Sequence, residues 1–303
     1  MIVTANAPVS YGVFELTVGD PGLPGPDELA AAVAHAGYRG IDLGPLGFLG
    51  RGEELRDRLS HHGLALAGGY VQLRFLDPVG FEDDLRLLDA TLDTFQAVAD
   101  LLPWMPPKPT LADAGSPERA ANPGRGKDVP EIGLDDAGWR RLADGVRRAA
   151  DRCRERGFEP TFHHHACTYV EAPHEIERLL ELTDIGLCLD SGHLLLGGGD
   201  PVQALEDWGS RINHLQVKDA RRDVLGRIIK EGAGMRAVWE RGAFCAFGTG
   251  DVDIDAFLDG VRSLGYAGWI VVEEDRILSS PGDFAAAAEA QRRNREYLAR
   301  WGW

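Results

Sequence analysis

Short apolar runs alternate with amphipathic stretches along the whole chain. Ile2–Ala7, Gly40–Gly44, Leu64–Val71, Lys108–Asp113, Glu159–His163, Ile185–Asp190, Ile212–Val217 and Trp269–Glu273 read as eight strands. Between them lie stretches with apolar residues at helical spacing. Asp27 opens a helix over Glu28–Ala36 that Gly37 stops, and Glu53–His62 ends before Gly63. Phe81–Leu102, Asp135–Gly157 with its Arg-rich outer face, Pro173–Leu182, Asp200–Trp208, Ile254–Leu264 and Pro281–Trp301 complete the helices. The fourth strand is the weakest, because Pro103-Trp104-Met105-Pro106-Pro107 just before it blocks regular structure. Long loops are expected at about 103–134, around that strand, and at 219–251. Loops of that length in a compact domain are usually functional or mobile.

Most of the strands are continuous apolar runs, as expected of parallel strands buried on both faces. Eight strand–helix units in one chain of this length predict an α/β fold, a single (β/α)8 TIM barrel over residues 1–303, with both long loops at the active-site end. An open, doubly wound sheet is the competing arrangement. The absence of a Gly-x-Gly-x-x-Gly run after the first strand counts against it.

Composition narrows the partners. With 32 basic and 48 acidic residues the net charge is −16, which argues against nucleic acid or an anionic membrane as a general partner. The start lacks a secretory signal, and no apolar run reaches the ~20 residues that span a bilayer, so a cytoplasmic protein is expected. Cys153, Cys167, Cys188 and Cys245 are scattered and signal neither disulfides nor structural zinc.

The chemistry concentrates late in the chain. Six of the nine histidines lie between residues 163 and 214. His163, Asp190, Gln216 and Glu273 stand at the C-terminal ends of the fifth to eighth strands, where the active site of such a barrel forms. Imidazole, carboxylate and amide oxygen together suit a divalent ion of the Mn, Co, Mg or Zn kind. Blander roles compete: Asp190 with Ser191 as a helix cap, Glu273-Glu274-Asp275 as a solvated charge run, Gln216 and His214 as mutual supports. Strand alternation sends 163 and 165 to one face and leaves His164 as a packing residue.

These segments resemble a known superfamily. Phe162-His-His-His-Ala-Cys-Thr168 with Glu171, Leu189-Asp-Ser-Gly-His193, His214-Leu-Gln-Val-Lys-Asp219 and Gly268-Trp-Ile-Val-Val-Glu273 are similar to the xylose-isomerase-like barrels, which include sugar isomerases, epimerases, hydroxypyruvate isomerase and AP endonucleases. The triple-His run, Asp-x-Gly-His, the run on to Arg222 and the opening Ala7-Pro-Val-Ser-Tyr-Gly12 look most like the inosose (2-keto-myo-inositol) dehydratases. The resemblance implies metal ligands at His163, Asp190, Gln216 and Glu273. It departs from the isomerases, which usually have Glu at the position of His163, and from the dehydratases, which have a second His at that of Gln216.

The expected reaction is metal-assisted proton abstraction beside the ketone of a polyol or sugar, most simply dehydration. His165, His193 and Glu273 are the catalytic candidates; neutral imidazole suits proton transfer near pH 7. Lys218, Arg222, Glu171 and Tyr11 are candidates for substrate binding. The alternatives are a sugar isomerase or epimerase and, in another class, an inactive barrel serving as a partner subunit. Tyr297, Trp301 and Trp303 suggest a homo-oligomer contact, with packing on the last helix as the plainer reading.

Overall fold

In the computed structural model, which describes residues 1–280 and 282–303, eight parallel strands close into a barrel. The barrel strands are β1 (Ile2–Asn6), β2 (Gly40–Asp42), β3 (Ala65–Leu73), β4 (Lys108–Asp113), β5 (Thr161–His163), β6 (Gly186–Asp190), β7 (Ile212–Val217) and β10 (Gly268–Val272). β8 (Asp219–Ala220) and β9 (Phe244–Cys245) form a separate antiparallel pair above the rim. Around the barrel, β1 joins β10 and β2, and the rest follow in the order β7, β6, β5, β4, β3.

The expected strands are all present, β4 included. The helices need adjustment. The third begins at Pro78 and ends at Gln96, because Asp77 caps it by accepting from Val79 N at 3.1 Å and Pro78 fits its first turn. The last described helix is Asp283–Ala299; the expected start at Pro281 lies outside the described residues. A helix over Ser191–Leu196 was not expected, and two more, Arg222–Lys230 and Met235–Glu240, occupy the segment read as loop at 219–251. Residues 103–107 precede β4 and therefore lie at the far end of the barrel from the site; within that expected loop only the part beyond Asp113 reaches it.

Asp136–Glu155 shows how the outer layer holds on: Trp139, Leu142, Val146, Ala149 and Cys153 are buried against the barrel while its arginines face water. Inside, Trp269 fills the end where strands begin, among Ala5, Ala65 and Ala67. A Cβ at Gly40 would lie 2.5 Å from the Trp269 ring, so the indole dictates glycine there. No helix among the described residues is long and apolar enough to cross a membrane.

Candidate active site at the strand ends

Register brings the expected residues together. Asp190 of β6 pairs with Gln216 of β7, Gln216 pairs with Val271 of β10, and Glu273 extends that ladder by donating its N–H to Val217 O at 3.1 Å. His163 ends β5, with its Nε2 3.9 Å from Asp190 Oδ2. The alternation that turns 163, 216 and 273 inward also turns 165, 218 and 275 inward one layer higher. All six line one cavity of about 680 Å³, with Asp190 fully buried beside it.

The centre of the cluster is a lysine. Lys218 Nζ lies 2.8 Å from Glu273 Oε2, 3.0 Å from Asp190 Oδ2 and 3.0 Å from Asp275 Oδ1, and its side chain is buried. Burial alone would lower its pKa; Asp190, Asp275 and Glu273 outweigh burial and hold it well above the usual lysine range. Gln216 Nε2 donates to Glu273 Oε1 at 2.9 Å, so Gln216 and Glu273 share one arrangement. One ammonium does not neutralise three carboxylates. Burial pushes Glu273 up to about 8 and Asp190 up to about 6 despite the lysine.

The Asp190-Ser191-Gly192-His193 motif is explained residue by residue. Asp190 Oδ1 caps the helix Ser191–Leu196, accepting from His193 N at 2.8 Å, while Oδ2 faces Lys218. The expected cap and the expected ligand are therefore two oxygens of one carboxylate. Ser191 Oγ donates to Lys218 O at 2.7 Å and accepts from Lys218 N at 2.9 Å, clipping the end of β7. A Cβ at Gly192 would lie 2.6 Å from Lys218 Cβ.

Ala166 then sets two imidazoles to opposite tautomers. Its carbonyl lies 2.7 Å from His165 Nδ1 and can only accept, so the His165 proton is on Nδ1 and Nε2 offers a lone pair. Its N–H donates to His193 Nδ1 at 3.2 Å, so the neutral His193 proton is on Nε2, 3.4 Å from Asp275 Oδ2. Burial lowers His165 to about 4 and holds His163 and His193 well below the usual histidine range, which keeps all three neutral at pH 7. His164 packs as expected and accepts from Asp190 N through Nε2 at 3.1 Å.

Several expected site residues stand elsewhere. His193 is buried behind the His165 ring, at 3.8 Å between centroids, and does not line the cavity. Glu171 does not face the cavity either. Its carboxylate accepts from Gly124 N, Gly126 N and Cys167 N at 2.9, 3.0 and 2.7 Å, tying the loop after β4 to the loop after β5. Arg222 is exposed on the helix it starts, and Tyr11 is buried against Phe284, its hydroxyl without a partner among the described residues. Tyr297, Trp301 and Trp303 pack within the chain, with Tyr297 on Phe247 and Arg262 over both indoles. Conversely, Asp275, Asp42 and Tyr70 belong to the cavity and were not expected there. Two-residue alternation from Glu273 was the signal for Asp275.

The residues fit a divalent cation. Gln216 Oε1 is buried and accepts no hydrogen bond among the described residues, Asp190 Oδ2 is paired with the Lys218 ammonium at 3.0 Å, and the carboxylates exceed the one cation beside them. His163, Asp190 and His193, and His165, His193 and Asp275, form two groups whose ligand-type atoms lie within 4.8 Å of one another. The tautomer argument removes His193 from both, since its Nε2 carries the proton. This leaves the pairs His163–Asp190 and His165–Asp275; Gln216 and Glu273 stand beside the first pair, and the Lys218 ammonium now lies among these carboxylates.

A closed parallel barrel whose strand ends converge on carboxylates, histidines and a lysine defines a (β/α)8 protein with its site at the C-terminal rim. The family model described as "Xylose isomerase-like TIM barrel" matches residues 30–300, and the chain belongs to that family. An inosose dehydratase of Geobacillus kaustophilus (strain HTA426) is 32% identical over 294 residues, covering 93% of both chains. Among solved structures, the IOLI protein with a bound zinc atom superposes with a TM-score of 0.68 at 15% identity, over 98% of this chain and 96% of that one. D-allulose 3-epimerase from Methylomonas sp., in complex with D-allulose, gives 0.67 at 13% identity, over 99% and 96%. At such identities the two structures speak for the fold alone.

Proposed function

We propose that the protein is a divalent-metal-dependent lyase that removes water from a keto-cyclitol or keto-sugar after abstracting the proton beside the carbonyl. The observation that carries the reading is the His165 lone pair, fixed by Ala166 O and directed into a cavity floored by Lys218, Gln216 and Glu273. The whole-length relative named inosose dehydratase supports the dehydration step. A zinc atom bound in the IOLI structure, which shares this fold, is in keeping with a metal of that class.

When bound by His163, Asp190, Gln216 and Glu273, a divalent ion supplies positive charge beside the carbonyl oxygen, which makes the neighbouring C–H acidic enough to lose its proton. His165 takes that proton through Nε2. Its pKa near 4 reflects burial first and then the Lys218 ammonium, which keeps the ring neutral and its Nε2 lone pair free to accept. Lys218, released from the carboxylates, binds substrate oxygens and gives a proton to the departing hydroxyl. His193 acts from behind this layer, its imidazole N–H holding the Asp275 carboxylate on the floor. Glu273 is a ligand with Gln216 fixing its second oxygen. His163 in place of a carboxylate leaves one face of the substrate without a second carboxylate base, which favours elimination over two-base epimerisation.

The test is to supply the chelator-free protein, supplemented with manganese, cobalt, magnesium or zinc in turn, with inosose in D2O. Loss of water from the product, dependent on the ion, is the expected result. Deuterium entry without water loss would assign the isomerase or epimerase instead, and neither outcome with any ion would overturn the enzyme reading.

A further inference from the structure

Resting on that reading of the catalytic floor, we infer that the substrate is a keto ring carrying a bulky apolar substituent, of aromatic size, which sits against the wall formed by Phe14, Leu16, Met235 and Trp239. The cavity has two chemically distinct levels. Its floor is His163, His165, Gln216, Lys218, Glu273 and Asp275, the groups suited to a hydroxylated ring. Its upper wall comes from the loop after β1 and the helix Met235–Glu240, and it is mainly apolar, with Glu15 and Arg236 as its charged members. Phe14 and Trp239 face each other at 5.2 Å between centroids with planes at 59°, and Leu16 remains 62% exposed at the rim.

Volume separates the two levels further. A bare six-membered polyol ring displaces about five or six waters, roughly 30 Å³ each, so it occupies about a quarter of the cavity of about 680 Å³. Such a ring is hydroxylated around its edge, and its small C–H faces cover only part of the Phe14, Leu16, Met235 and Trp239 surface. An aromatic substituent on the ring would fill the remaining space and remove apolar wall from water, the usual division of labour in ligand sites: apolar walls for affinity and few polar groups for orientation. The wall opens directly onto the catalytic floor, so the occupant it fits is the distal part of the same molecule.

The experiment compares matched ligands on the manganese-supplemented full chain. Binding of a methyl and a phenyl glycoside of one hexose, neither reactive, is measured by calorimetry. Turnover of inosose and of a phenyl keto-hexoside is measured alongside. The phenyl ligand is expected to bind at least about tenfold tighter, about 1.4 kcal/mol. Trp239→Ala should cut the phenyl-to-methyl ratio about tenfold. Leu16→Asn, at an exposed position that does not threaten folding, should cut it about threefold. Equal affinity for the two glycosides, or loss of both together in the variants, overturns the inference even if inosose is turned over. Phenyl preference without water loss or proton exchange in any keto ring upholds the wall and overturns the proposed lyase. Dissociation of a dimer in Trp239→Ala would assign the wall to a second copy of this chain and also overturn the inference.

Discussion

The two ends of the barrel interior are built from opposite materials. Where the strands begin, Trp269 fills the space among Ala5, Ala65 and Ala67, with Gly40 reduced to a bare backbone to admit the ring. Where they end, the same bore holds Lys218 among Asp190, Glu273 and Asp275. Trp269 and Glu273 are four residues apart at the two ends of one strand. The first end is stabilised by removing apolar surface from water. The second withdraws charges from water and recovers only part of that cost through pairing. A barrel therefore divides stability and chemistry along its axis, and substitutions at the two ends should separate those properties.

Asp190→Ala gives the largest expected separation. It removes a proposed ligand together with an observed cap and Lys218 partner, so turnover should fall by about a thousandfold or more and bound metal, measured by elemental analysis, should be lost. His165→Ala should lose a similar share of turnover and retain the metal. Retained turnover in either variant would break the assignment of roles. Full metal content in Asp190→Ala would move the ion elsewhere.

Next come two stability changes of similar size and opposite response to ions. Trp269→Ala should cost about 3–5 kcal/mol of unfolding free energy, measured by urea denaturation, and leave turnover per folded molecule nearly intact. Lys218→Met should cost the metal-free protein about 3–5 kcal/mol, as removal of one partner from a buried ion cluster does, and a divalent ion should restore more stability to it than to the wild type. If the ion stabilises both equally, Lys218 does not share the ion's place.

The pH dependence of the upper end is a smaller effect with a definite sign. Burial raises Asp42 to about 7 from 3.8. The folded state thus holds that proton more tightly than the unfolded state. The stability it contributes is complete below about 4, is lost as pH rises towards 7, and stays constant above. Asp42→Asn should remove a slope of at most about 1.4 kcal/mol per pH unit in that window, measured on metal-free protein as the difference from wild type. A difference independent of pH would place the Asp42 proton elsewhere.

The contrast between the ends also explains what the sequence disclosed. Parallel strands buried on both faces are runs of apolar residues, so the barrel and the polar residues at its strand ends were legible from pattern alone. Ser191–Leu196 was missed because a short helix buried on every side has no polar face to give it a period. Alternation, applied to 163 and 165, held equally for 216 and 218 and for 273 and 275, and would have turned Lys218 and Asp275 into the cluster. Direction along a strand is local; the partner a side chain meets is not. Glu171 and Arg222 show this, as nothing near them in sequence tells that one anchors Gly124 and Gly126 while the other faces water. Gly124, at φ +69°, permits the turn that brings its N–H to Glu171.

Backbone strain provides the smallest and finest test of the division. Cys167 adopts φ +69°, the left-handed region that costs a side-chain-bearing residue about 1–2 kcal/mol. It does so within the turn that carries His165 and Ala166, and its N–H pays for the conformation by donating to Glu171 Oε1 at 2.7 Å. Glycine carries no such steric cost, although it adds about 0.5–1 kcal/mol of unfolded-state entropy. Cys167→Gly should therefore be neutral or stabilising by about 0.5 kcal/mol, and Ala67→Gly, in the relaxed strand beside Trp269, should be destabilising by about 1 kcal/mol. If the two substitutions cost the same, the turn is not strained and the catalytic end is as relaxed as the other. If Cys167→Gly leaves stability unchanged and yet slows turnover, the left-handed residue does more than fit its turn: it fixes Ala166, and through Ala166 the tautomers of both histidines.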